Sequence, residues 1–364
     1  MSFRTGSRTC KDSFSPVNGS FAFRGVTPTL CFALLNAIPC ARAFSAERGA
    51  NEMGYLSGFG SRAHPVVALT WGLLAISLAV VAIVIGLLLF GVFRRRPPGA
   101  TAIARPQRLG DGLMWVYVGT GVSTLTLFIA AFWTMRVLAA VVRPSAAPVL
   151  TLDIVGHQWW WEARYSGDPA SNIFTTANEI HIPVGAPVRV RLMSEDVIHS
   201  FWIPALSGKT DLIPGQTNET WIEADRAGIY RGQCSEFCGD QHAGMAMYVV
   251  AQPPEDFELW RKQQIAPANL SGEGAVVDGQ QAFDLRCGAC HTVRGGGAGG
   301  IAGPDLTHLM SRANIAAGLL PNTPGYLSAW IADPQRLKPG TLMPRVVLAA
   351  GELQAIGGFL QTLK

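Results

Sequence analysis

The densest run of metal-binding side chains is Cys234-Ser235-Glu236-Phe237-Cys238-Gly239-Asp240-Gln241-His242-Ala243-Gly244-Met245, with His199 upstream in β-rich sequence. Thiolates, imidazoles and a thioether form a soft donor set that selects copper over hard cations, and a weak axial methionine marks copper sites that transfer electrons. A mononuclear blue-copper site uses one cysteine. Two cysteines four apart can instead bridge two copper ions, each completed by one histidine and one weak axial donor, Met245 on one side and a backbone carbonyl on the other. The same near-tetrahedral field then suits both oxidation states, which favours fast electron transfer. The alternatives are a disulfide beside an incidental histidine, or a closed Cys2His2 zinc site, which leaves Met245 unexplained.

A second constellation, Cys287-Gly288-Ala289-Cys290-His291, is a C-x-x-C-H. This is the attachment motif for haem c. The two thiols add to the haem vinyl groups, and the adjoining histidine becomes the proximal iron ligand. A thioredoxin-type C-x-x-C needs a βαβ context that these glycine-rich surroundings lack. The remaining cysteines, Cys10, Cys31 and Cys40, lie near the start, and the odd total of seven argues against a disulfide framework.

These groups need elements to hold them. Val66 to Phe93 and Leu113 to Met135 carry no charged side chain, and each is long enough to cross a bilayer as a helix. Between them stand Arg94, Arg95, Arg96, Arg105 and Arg108, with Asp111 the only acid. Basic residues concentrate in cytoplasmic loops. The expected topology is therefore a transmembrane hairpin over residues 64–145 in a bacterial inner membrane, with spans at about 66–93 and 113–135 and both redox segments on the periplasmic side. Residues 1–46 read as a signal or presequence, with an apolar run around Leu30 to Ile38 and a small-x-small site at Ala41-Arg42-Ala43. Only 15% of the 364 residues are charged and the mean hydropathy is +0.24, which excludes a disordered chain and a single soluble globule. The net charge of +4 forms no basic stripe interleaved with aromatics, so lipid is expected as a partner and nucleic acid is not.

Across residues 148–252, runs rich in valine, isoleucine and threonine (Val149 to Val155, Val188 to Met193, Thr217 to Glu223, Met245 to Val250) alternate with Gly and Pro turns. That pattern predicts an antiparallel all-β sandwich or barrel. Residues 253–274 read as a linker holding one short helix around Phe257 to Gln264, and residues 275–364 as a small all-α domain. The β segment carries a net charge of −6 and the last segment +2, and opposite signs favour docking of the two.

From about residue 64 to 252 the chain resembles subunit II of the haem-copper cytochrome c oxidases. The resemblance rests on His199 within Asp196-Val197-Ile198-His199-Ser200-Phe201, on the Cys234 to Met245 run, and on Gly156-His157-Gln158-Trp159-Trp160-Trp161. It implies a cupredoxin fold and a dinuclear copper centre, CuA, ligated by Cys234, Cys238, His199, His242, Met245 and the carbonyl oxygen of Glu236. It also implies a magnesium ion reached by the Glu236 carboxylate, a suitable hard ligand, at the interface with subunit I. Trp159 matches the exposed residue through which electrons enter from cytochrome c, where an indole offers a flat contact. Aligned on Trp115, Gly112 and Gly119 stand where the family usually has a glutamate serving a proton channel and a proline, and Asp111 lies next to the first of these.

In the last segment, Lys338-Pro339-Gly340-Thr341-Leu342-Met343-Pro344 resembles the loop of class I cytochromes c that supplies the sixth iron ligand, Met343. Gly303-Pro304-Asp305-Leu306 resembles their preceding turn. His308 and Met310 are competing ligands by residue type. Methionine–histidine ligation raises a haem potential.

The resemblance as a whole implies the electron-accepting subunit of a respiratory cytochrome c oxidase fused to its own cytochrome c. Electrons would pass from an external cytochrome c or similar donor to haem c, through the Trp159 region to CuA, and on to subunit I. There, with subunit III alongside, oxygen is reduced to water and protons are translocated. The alternatives are the CuA subunit of a membrane nitric-oxide reductase and a periplasmic copper carrier, and a carrier has no use for haem c.

Overall fold

Helix α1 spans Ala63–Phe93 and α2 spans Gly112–Val142, 31 residues each, in a computed structural model that describes residues 53–94, 112–144, 146–271 and 273–364. The expected presequence and the arginine-rich loop from Arg95 to Asp111 lie outside the described residues. At 1.5 Å per residue each helix is about 46 Å long, more than the ~30 Å hydrocarbon layer. α2 runs past the expected end at Met135 because Arg136 interrupts the uncharged run without interrupting the helix. Both helices are apolar all round, with Leu87, Phe90, Leu127 and Phe128 exposed. Such a surface is stable only in lipid. The chain is therefore membrane-anchored. Gly72 lets the pair meet, since a Cβ there would lie 2.2 Å from the Trp133 ring.

The start of α1 and the end of α2 both join the β domain. Ser61 donates to Glu223 (2.7 Å), Arg62 bonds the Thr220 hydroxyl and the Trp221 carbonyl, and the Trp221 indole donates to Val141 O (3.1 Å). The far ends of the hairpin lie a helix length away.

The β domain has ten strands: β1 Leu150–His157, β2 Trp160–Tyr165, β3 Phe174–Ala177, β4 Glu179–Pro183, β5 Val188–Ser194, β6 His199–Phe201, β7 Thr210–Leu212, β8 Asn218–Ile222, β9 Gly228–Gln233 and β10 Ala246–Gln252. A five-stranded sheet, β3-β2-β1-β5-β8, faces a three-stranded one, β4-β10-β9, with β6 and β7 as a separate pair. Alternation sets the faces. In β5, Val188, Val190 and Leu192 point into the core while Arg189 stands exposed. The sandwich was expected to be antiparallel throughout, yet β1 pairs β5 and β10 pairs β4 in parallel. Hydrophobic period marks a strand and its faces but carries no information on direction.

The expected short helix is α3, Pro254–Ile265, with Pro, Glu255 and Asp256 in a first turn that suits them. It is no free tether. Phe257 is buried in the sandwich core, and Trp260 stacks on His181 (centroids 4.0 Å apart) and lies edge-on to Tyr165 and Phe174. Residues 266–274 connect α3 to the next helix, and the described ones among them form neither helix nor strand.

The C-terminal domain holds α4 (Ala275–Arg286), α5 (Pro324–Ala332), α6 (Pro334–Leu337) and α7 (Ala350–Leu360). Its core is built on Phe283, Leu327, Ile331, Ile356, Phe359 and Leu360. A two-stranded ribbon, Asn314–Ile315 with Leu320–Pro321, turns through Ala316, Ala317 and Gly318, all at positive φ (54°, 59° and 78°). Two alanines in the left-handed region store strain that surrounding contacts must hold.

α4 and α7 cross so closely at Gly279 that a Cβ there would lie 2.2 Å from Ala355 O. Backbone gives way poorly, and overpacking costs about 1–3 kcal/mol. Gly279→Val is expected to lower the thermal transition of the C-terminal domain, followed by circular dichroism, while leaving that of the β domain unchanged.

Candidate metal and haem sites

The loop from Cys234 to Met245 connects β9 to β10 and is tied at its neck by Cys234 N–H donating to Met245 O (3.0 Å). That bond extends the β9–β10 ladder by one rung and brings both ends of the loop beside β6, where His199 begins. The donors converge. Cys234 Sγ lies 3.8 Å from Cys238 Sγ, 3.9 Å from His199 Nδ1 and 3.3 Å from the Glu236 carbonyl; Cys238 Sγ lies 3.6 Å from His242 Nδ1 and 3.8 Å from Met245 Sδ. Cys234, Cys238, His199 and Met245 are all buried.

Two neighbours that sequence reasoning assigned no role position His199. A Cβ on Gly156 would lie 2.7 Å from its ring, so only glycine leaves the imidazole room. The Asp196 carboxylate sits 2.8 Å from His199 Nε2, which leaves Nδ1 for the cysteines, and it also accepts from Gln158 N–H (2.6 Å). Burial works against charge on this imidazole, but Asp196 and Cys234 outweigh it and move its pKa up. A hydrogen bond from Cys238 pulls the Cys234 thiol down to about 3, and the same contact holds the Cys238 proton on. The pair therefore sheds its first proton easily and its second only when a cation is there to balance it.

The donors fit a metal pair better than one ion. A thiolate–metal bond of about 2.3 Å gives a tetrahedral edge of about 3.8 Å, which is the sulfur–sulfur separation here. A thiol pair this far apart is no disulfide. Six donors exceed one tetrahedral zinc; His199, Cys234, Cys238, His242, Met245 and the Glu236 carbonyl would hold two copper ions and supply a soft, electron-transferring donor set. The Glu236 carboxylate does something else: it is half-exposed and pairs with Lys209 Nζ at 3.2 Å. Among the described residues nothing supports magnesium there.

In the C-terminal domain, Cys287 closes α4, and Cys290 and His291 both donate their backbone N–H to its carbonyl (3.0 Å). His291 Nδ1 is held 2.9 Å from Pro304 O, which fixes the proton on Nδ1 and leaves Nε2 as the donor. Burial lowers its pKa, favouring the neutral, ligating form. A Cβ on Gly303 would lie 2.6 Å from that ring. Cys287, Cys290, His291 and Met343 line one apolar cavity of about 300 Å³, together with Phe283 and Trp330. Met343 is positioned by Gln335, whose amide donates to Met343 O (2.8 Å) and Thr341 O (2.6 Å). The competing residues lie elsewhere: both ring nitrogens of His308 are taken by Lys364 O and Ala266 O, and Met310 packs against the core.

Trp159 differs from the exposed residue expected. It is 7% exposed, its indole donates to Cys238 O (2.9 Å), and it forms part of the wall of the cavity that Cys287, Cys290, His291 and Met343 line. The loop at Gly340 covers it, with a Cβ there 3.4 Å from the ring. Sequence shows that a domain is fused but not which surface it covers. Among the described residues no ion-pair contact crosses the interface, although the buried Glu179 and Arg312 attract each other across it. Gln241 donates to Pro339 O (2.9 Å), Ala246 N–H to Ala317 O (3.1 Å), and Ala313 N–H to the Glu179 carboxylate (3.0 Å).

Comparison with known proteins shows the family. Residues 167–252 match the family model described as cytochrome C oxidase subunit II, periplasmic domain, and residues 276–364 match that of cytochrome c. The cytochrome c oxidase subunit 2 of Alkalihalophilus pseudofirmus is 34% identical, over 79% of this chain and 84% of that one. That of Thermostichus vulcanus is 43% identical over 34% of this chain and 36% of that one. A crystal structure of the periplasmic domain of subunit II of the Bradyrhizobium japonicum oxidase is 33% identical and covers 33% of this chain and 96% of that one, with a TM-score of 0.31. A relative matched over most of both chains, with soft donors gathered in the β domain and a C-x-x-C-H beside a methionine in the helical one, places the protein in the cytochrome c oxidase subunit 2 family, in a form that carries its own cytochrome c domain.

Proposed function

We propose that this chain is the electron-accepting subunit of a respiratory oxidase, taking electrons from an external cytochrome c or similar donor into its C-terminal domain and passing them through its β domain to subunit I. The observation that carries this is Trp159, which touches the Cys238 carbonyl on one side and the cavity lined by Cys287, Cys290, His291 and Met343 on the other. Bound here, a copper pair and a haem c would each supply a one-electron couple.

His199, Cys234, Cys238, His242, Met245 and the Glu236 carbonyl would hold the copper. Cys287 and Cys290 would fix the haem covalently, with His291 and Met343 as iron ligands. In this reading residues 1–46 are a presequence, residues 64–145 the hairpin, residues 148–252 the copper domain and residues 275–364 the cytochrome domain. Both redox domains stand in the periplasm because the arginine-rich loop faces the cytoplasm. Reduction of oxygen to water and proton translocation belong to subunit I, with subunit III a further partner.

Cys238→Ser removes one of two shared thiolates and is expected to take the copper content of the purified chain from two ions to one or none, leaving covalent haem staining intact. A wild-type chain that binds a single zinc and no copper would refute the assignment.

The buried contact at Trp159 gives a kinetic expectation. Flash-induced transfer between the two centres in the wild type should be insensitive to salt between 0.1 and 1 M, over which the Debye length falls from ~10 to ~3 Å. Trp159→Leu should slow it at every salt concentration. An unchanged rate would show that electrons take another route.

A further inference from the structure

Lys338 is 2% exposed, and among the described residues no carboxylate lies within ion-pairing distance of it. An ammonium has three N–H donors and no acceptor, and all three are used. Lys338 Nζ donates to Trp159 O (2.7 Å), Gly244 O (2.9 Å) and Ala316 O (3.1 Å). Burial pushes its pKa down to about 8, the cost that these bonds offset. The acceptors are telling. Trp159 touches Cys238, Gly244 precedes Met245 in the ligand loop, and Ala316 is one of the two strained alanines of the ribbon tip. Three carbonyls converging on one point suit a compact tetrahedral ammonium and not a planar guanidinium.

Resting on the electron-transfer reading above, we propose that Lys338 is a positioning residue that clamps the cytochrome domain to the copper domain. It ties the Trp159 and Gly244 carbonyls to the loop that carries Met343, making the cytochrome domain a fixed part of the subunit and not a tethered shuttle. Gln241, donating to the next residue of that loop, Pro339, is the weaker, exposed companion contact.

The full-length chain is tested by amide hydrogen exchange. Ala246 and Ala313 report the interface, because their N–H groups bond across it, while Val249, paired with Tyr230, reports the sandwich alone. Lys338→Met leaves three interface carbonyls without their donor, so it should speed exchange at Ala246 and Ala313 by about tenfold or more and leave Val249 unchanged. Gln241→Leu should produce a smaller change of the same pattern. Transfer of one electron from reduced haem to the oxidised copper centre should become sensitive to ionic strength in Lys338→Met, because released domains then rely on their opposite net charges. A lysine serving only stability would introduce no such dependence.

Unaltered protection at Ala246 and Ala313 in Lys338→Met would overturn the clamp. If that variant fails to accumulate, amine acylation of the wild-type chain decides: Lys338 must resist labelling while Lys209, 47% exposed, reacts, and equal labelling would overturn the proposal. Metal and haem content of the same samples report on the functional reading separately, so a chain without copper that keeps its interface protection would sink that reading alone.

Discussion

One backbone hydrogen bond, from Cys234 N–H to Met245 O, is the constraint on which the redox half of the molecule depends. It closes a twelve-residue loop at the end of the β9–β10 ladder, so that two thiols, an imidazole, a thioether and a carbonyl occupy the space beside β6. Loop closure becomes costlier with length, though slowly, and here the sheet meets that cost before any metal binds. The sandwich supplies the rigid frame, and the loop's own sequence supplies the chemistry. His199 reaches the same point from a different strand, through the room left at Gly156 and the aim set by Asp196.

The same loop is also the interface. Gln241 and Gly244 face the cytochrome domain with donor and acceptor, so any movement of that domain is felt within two residues of His242 and Met245. Trp159 lies in the turn between β1 and β2 and meets both the Cys238 carbonyl and the cavity wall. The strained tip at Ala316 and Ala317 has a purpose in this arrangement: its positive φ values turn two successive carbonyls outward, one to Lys338 and one to Ala246.

Much of this was legible in the sequence because the chemistry is local. Cys234 to Met245 and Cys287 to His291 are contiguous, and the two spans are long uncharged runs. His199, thirty-five residues from Cys234, could be picked out by residue type in β-rich sequence, but it is the fold that brings it beside the cysteines. What stayed hidden involves partners without a residue signature. Lys338 looks like any surface lysine because its acceptors are backbone carbonyls, and Glu179 meets a backbone N–H. Parallel pairing of β1 with β5, the packing of Trp260 on His181 and the covering of Trp159 are all relations between distant segments, which a reading of composition and period does not encode.

A covalently joined pair also explains why the interface is polar. Nine residues, 266–274, connect α3 to α4, and a short tether gives an effective concentration on the order of millimolar. The contact therefore needs little intrinsic affinity. A large apolar patch would supply affinity, but it would tolerate several registers and would endanger the chain if exposed during assembly. A buried ammonium with three fixed acceptors holds one register and penalises every other, since a misplaced domain leaves a charge buried without partners. The tether supplies proximity, Lys338 supplies register, and the distance between cavity and copper loop is thereby set by the fold and not by diffusion.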